Sequence, residues 1–207
     1  MDQLSSALLR LNLETRPYHE AADAGWLALL GDGITRDDYI HQLVTTYGFE
    51  APLESALAYT PNLALFLEAR RRARAGLLVA DLLALDMPPL AISNLPLYFP
   101  LAPFSSPLEA LGWIYVSERA TLLHDRVRRH LLETVPDVRD ACAYLSAYDK
   151  VTAARWSELG HVLERATHNE RLMTEVIAGA HAGFRALIAW SHTAFARTAQ
   201  TRLVARG

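Results

Sequence analysis

Cysteine is nearly absent from this chain. Cys142 is the single one among 207 residues, which excludes an internal disulfide and a zinc site built on paired thiolates. No uninterrupted apolar run reaches the ~18 residues of a membrane-spanning helix, so no membrane partner is expected. Charge of one sign is not in excess. The 20 Lys and Arg against 23 Asp and Glu leave a net charge of −3, which gives no overall attraction to nucleic acid. The N-terminal stretch MDQLSSALLRLNLE has an acid at position 2 and does not read as a secretory signal, so a cytoplasmic location is the expectation. Strand-like alternation is rare, and there is no internal repeat or low-complexity run. One absence is local: the segment YVSERATLLHDR, Tyr115 to Arg126, holds no glycine.

What is present reads as helix. Hydrophobic residues make up 51% and charged residues 21%, an ordinary globular balance, and the length suits one sizeable core over residues 1–207. Helical periodicity predicts a first helix over Gln3 to Leu30, bent at Pro17 and ended by Gly31-Asp32-Gly33. Thr35 and Asp38 form a capping box for a second helix, which Pro52 should kink. A third helix is predicted over Leu63 to Leu85, then an irregular proline-rich segment, Asp86 to Ser106, whose Ile92, Leu95, Leu97, Tyr98 and Phe99 should pack on the body. Ser106, Pro107 and Glu109 mark the start of a fourth helix reaching Val135. A fifth is predicted from Pro136 to Ala166, and a sixth, capped by Thr167 and Glu170, to Thr198. The expected fold is a single all-α domain of six to eight helices, its N-terminal part packed on the fourth.

Several segments carry a resemblance. They are LRLNLETRPYHEAAD, GDGITRDDYIHQLVTTYGFEAPLESAL, LVADLLALDMPPL with the proline-rich loop, and ALGWIYVSE, followed by Trp156, Phe184 and Trp190. In order and spacing, from about Leu8 to Trp190, the chain resembles the haem oxygenase family, notably its bacterial members linked to bacteriophytochromes. The resemblance implies a haem-oxygenase-like helical bundle with haem as both substrate and cofactor. It implies His19 as proximal ligand to the haem iron, a distal helix across the other face, and cleavage to biliverdin, carbon monoxide and iron. Its implied partners are haem and an electron-donating reductase, and a homodimer is an assembly open to it. Arg10, Arg16 and Arg185 are candidates for the haem propionates, because arginine pairs bidentately with carboxylates. Asp23, four positions after His19, is a candidate to orient its imidazole.

The chain departs from the family at the distal helix. Bacterial members read YV-x-EGS-x-LGG where this chain has Arg119, Leu123 and His124 in the glycine positions. Glycine lets a backbone approach closely because it has no Cβ. Arg119, Leu123, His124 and Asp125 are therefore the distal-helix candidates, with His124 open to three roles: second axial ligand, pocket filler or surface residue. The alternative function is a non-catalytic haem-oxygenase-like protein, a haem carrier, sensor or interaction module.

Other chemistries have weaker signals. Glu50 with Glu54 and Glu158 with His161 partly match helical di-iron spacing, without a second Glu-x-x-His. Thiamine-salvage hydrolases of the same fold use a cysteine nucleophile, and Cys142 lacks their context. The run Arg70, Arg71, Arg72, Arg74 reads as an exposed helix face beside Glu68.

Overall fold

A computed structural model describes residues 5–99 and 101–204, with side chains described through residue 193. Among the described residues there is no strand. Seven helices of ten residues or more are joined by one short helix and several 3-10 turns. In chain order they are α1 (Ser6–Thr15), α2 (His19–Ala28), α3 (Arg36–Ala58), α4 (Ala75–Ala84), the short α5 (Pro89–Ser93), α6 (Pro107–Thr134), α7 (Thr152–Ala166) and α8 (Glu170–Val204). The all-α bundle expected from the sequence is therefore present. The predicted start at Gln3 lies outside the described residues.

Local chemistry explains most boundaries. Pro17 turns the chain through a 3-10 step, Arg16–Tyr18, that divides α1 from α2. The capping box of α3 is closed from both sides: the Asp38 N–H donates to Thr35 Oγ1 at 3.2 Å and the Thr35 N–H to Asp38 Oδ2 at 3.1 Å. Pro52 lies inside α3 without ending it. Having no N–H, it leaves the Gly48 carbonyl without its helical donor, and the Tyr98 N–H supplies one at 2.8 Å. That bond lays the proline-rich segment against α3. Ile92 is buried and Leu95, Leu97 and Tyr98 are half-buried as expected, but Phe99 is exposed. At α6 the Ser106 hydroxyl accepts the Leu108 N–H at 3.1 Å, with Pro107 in the first turn.

Three helix predictions need correction. The segment 63–74 is two 3-10 turns, Leu63–Leu65 and Ala69–Arg72, entered through left-handed Asn62 (φ 63°). The segment 136–151 is a 3-10 turn and non-helical turns, so only Thr152–Ala166 of the predicted fifth helix forms. Asp81 on α4 draws the N–H groups of Ala143 (2.7 Å) and Tyr144 (2.9 Å) out of any helical ladder. The N-cap of α8 is Asn169, whose Oδ1 accepts the Leu172 N–H at 3.1 Å, and not Thr167.

The central pair is α6 and α8. They meet backbone to backbone where Gly112 lies against Val176 and Ala180, and Gly179 against Glu109. The close approach that glycine permits is thus used between two helices of the chain. The stretch Glu170–Thr193 of α8 is long and apolar enough to cross a membrane by length and composition, and it carries the core residues Val176, Ala180, Phe184 and Trp190. Apolar packing forms two clusters. One joins α1, the C-terminal half of α3, the start of α6, α7 and α8. The other joins α2, the first half of α3, α4, the latter half of α6 and the 135–145 segment.

Candidate functional site

His19 opens α2 and is half-buried against Phe184, ring centroids 5.6 Å apart. Burial, reinforced by the Arg119 cation, lowers its pKa and keeps the ring neutral. Its Nε2 lies 3.0 Å from Thr15 Oγ1, one helical turn back. The same hydroxyl donates to the Leu11 carbonyl at 2.6 Å, so Thr15 ties the His19 ring edge to the last turn of α1. A metal at Nε2 has to displace this contact.

Arg119 on α6 crosses to α2 and places Nη1 2.6 Å from both carboxylate oxygens of Asp23. Both side chains are largely buried, at 14% and 13% exposure. Asp23, the candidate orienter of His19, is thus held by the residue that stands in the first glycine position of the resembling family. Beside this pair a cavity of about 40 Å³ remains, lined by Asp23, Trp26, Gln42, Glu50, Arg119 and Tyr144 among others. That volume holds a few waters, whereas pockets for drug-sized ligands run to about 300–1,000 Å³.

The remaining predicted residues do not converge on His19. His124 is 3% exposed and turns towards Trp26 and Tyr144, with centroids at 5.6 and 4.8 Å, and neither ring nitrogen has a hydrogen-bond partner. Leu123 packs in the second apolar cluster. Asp125 is exposed and paired with Arg128 and Arg129. Arg10 is bound to Glu170 at the start of α8, at 2.5 and 2.6 Å, and Arg16 and Arg185 are exposed. Glu50, Glu54, Glu158 and His161 do not gather; no metal-ligand group of His, Cys, Asp and Glu forms among the described residues. Cys142 is buried, its thiol donating to the Val138 carbonyl at 3.3 Å.

The larger polar feature centres on two arginines of the 69–74 segment. Arg72 and Arg74, expected on an exposed helix face, turn inward while Arg70, Arg71 and Ala73 stay out. Arg74 is 2% exposed. Its Nη2 donates to Glu50 Oε1 (3.0 Å) and to Ser117 Oγ (2.8 Å), and its Nη1 faces Glu118 Oε1 at 3.4 Å. Tyr144 donates to Glu50 and Tyr148 to Glu118, both at 2.8 Å, and both rings flank the guanidinium. Burial works to lower the Arg74 pKa, but Glu50 and the other anionic partners outweigh it and raise it well above the ordinary value. Arg72 pairs with Glu118 (2.9 Å) and Glu158 (3.0 Å). The i, i+2 spacing of Arg72 and Arg74 was the available sequence signal.

The resemblance implies a haem between α2 and α6. The residues present do not fit one as they stand: the Arg119–Asp23 pair spans the gap, His19 Nε2 is committed to Thr15, and the cavity is far smaller than a porphyrin. No family model matches the chain, and no curated protein is detectably similar to it.

Proposed function

We propose that the chain is a non-catalytic binding protein, a haem-oxygenase-like bundle in which its own side chains occupy the place of the haem. The observation that carries this reading is the buried Arg119–Asp23 pair, two 2.6 Å contacts closing α6 onto α2 beside His19. A flat macrocycle entering there has to break a charge pair held away from water and then solvate or re-pair both ions. Hemin titration of the purified protein, followed in the Soret region and then with ascorbate in air, tests it. No stoichiometric Soret shift is expected. A stoichiometric shift overturns the reading, and a biliverdin-like spectrum after ascorbate then favours the oxygenase.

The second reading is haem oxygenase activity with His19 as iron ligand and a reductase as partner. It is supported by the neutral, half-buried imidazole at the start of α2. It requires Arg119 to swing away from Asp23 and Thr15 to release the imidazole.

A further inference from the structure

A second cavity lies on the other side of the buried ion network. It measures about 330 Å³ and runs between α3, α6 and the 69–73 turn, within the size range of small-molecule pockets. Glu50 and Ser117 line both this cavity and the smaller one, so the network forms the partition. Leu53, Leu57 and Ile114 give it an apolar wall, and Glu54 and Glu118 give it carboxylates.

Three carboxylates and three guanidiniums surround it, counting Arg74 in the partition, but they are not all paired in contact. Arg74 is matched by Glu50, and Arg72 by Glu118. Glu54 has no side-chain cation in contact among the described residues. Its Oε1 accepts the N–H groups of Arg74 (2.5 Å) and Ala75 (2.8 Å), and no donor among the described residues reaches Oε2. Burial raises the Glu54 pKa, against those two N–H bonds and with Glu50 adding to the rise. Glu118, 2% exposed, has an Oε2 without any hydrogen bond; Arg72 Nη1 stands 2.9 Å away but out of alignment, and is itself without one. A buried carboxylate oxygen without a donor, as at Glu118, is an incomplete arrangement, whereas Glu54 is half-buried and its second oxygen is left for a partner from outside the chain. A bound donor that is also positively charged pairs the uncontacted Glu54 carboxylate and gives Glu118 Oε2, charge-paired with Arg72 but without a hydrogen bond, the donor it lacks.

We propose that this cavity binds a small organic cation, an ammonium group on a short apolar body, with Glu54 as its principal partner and Glu118 as its second. The ammonium supplies the donors, and Leu53, Leu57 and Ile114 take the apolar part. Arg70 at the exposed rim sets the sign test, because it favours an anion.

The probe is n-butylammonium, with butyrate and 1-butanol at equal concentration and ionic strength, titrated into the full chain and followed by amide NMR shifts and calorimetry. Saturable shifts at Glu54, Arg74 and Ala75 are expected with butylammonium alone. Glu54→Gln keeps an oxygen for the two N–H bonds and removes the charge, so binding should weaken by about tenfold, the order of one charge-assisted contact. Ala58→Trp, at an exposed position lining the cavity, should block it and serves if the glutamine variant does not fold. Absent or unsaturable shifts, equal binding of butyrate or butanol, or unchanged binding in both variants overturns the proposal. The cavity is separate from the α2–α6 cleft, so failure here leaves the reading of that cleft standing.

Discussion

The imidazole of His124 lies 4.8 Å from the ring of Tyr144, centroid to centroid, and both its nitrogens are without a hydrogen-bond partner. Trp26 covers it from α2, and Arg74 is the nearby cation. Burial first, and Arg74 second, lower its pKa well below the ordinary value. The unfolded chain, with an imidazole near pH 6.5, therefore takes up this proton before the folded chain does. The stabilising effect of the neutral ring is full above about pH 6.5. It is lost as pH falls towards the folded value, at up to about 1.4 kcal/mol per pH unit. Denaturant melts of the wild type and of His124→Phe at a series of pH values check this. The wild-type curve should fall more steeply below pH 6.5, and parallel curves would remove His124 as the cause.

Breaking the Arg119–Asp23 pair should destabilise the chain, because the survivor is left as an uncompensated, largely buried charge. Arg119→Ala and Asp23→Ala are each expected to cost about 3 kcal/mol, a fall in Tm of about 6–12 °C for a chain of this size. The double variant should recover about 2 kcal/mol of the summed loss. Strict additivity in a thermal double-mutant cycle would show that the two side chains are not coupled.

Two glycines should respond to alanine with opposite signs. A Cβ on Gly112 would fall on the Val176 carbonyl oxygen and the Ala180 nitrogen, which are backbone atoms that cannot turn aside. Gly112→Ala should therefore cost about 3 kcal/mol through separation of α6 from α8. Gly76 is an exposed residue in α4 with nothing near its missing Cβ. Gly76→Ala should stabilise by about 0.5–1 kcal/mol. Urea midpoints separate the two, and a loss at Gly76 would contradict this account of α4.

Sequence and structure agree where the signal is local. Thr35 with Asp38, and Ser106 with Pro107, mark helix starts because capping involves residues within one turn. Pro52 was legible as a disturbance. The Tyr98 N–H that relieves it comes from a distant segment and was not. The arginine run was misread because a helical wheel has no place for Arg72 and Arg74 on one inward side with Ala73 outward; that alternation needs an extended step. Residues 139–151 carry helix-forming side chains, yet Asp81 claims two of their N–H groups from another helix. At the candidate site, the glycine-poor stretch Tyr115–Arg126 was plain in the sequence. The role of Arg119 depends on Asp23, 96 positions away, and no periodicity carries that information.

Arg74 takes Glu50 from α3, Ser117 and Glu118 from α6, and the faces of Tyr144 and Tyr148 from the 139–151 segment. Each of these groups is an uncompensated polar burden until the others arrive, since a half-assembled buried network is worse than none. Docking any one of the three elements alone is therefore unfavourable, and docking all of them together is not. Such wiring suppresses partly formed states, so the bundle's unfolding should be cooperative across both of its apolar clusters, in a single transition, although each cluster is large enough to suggest an independent unit.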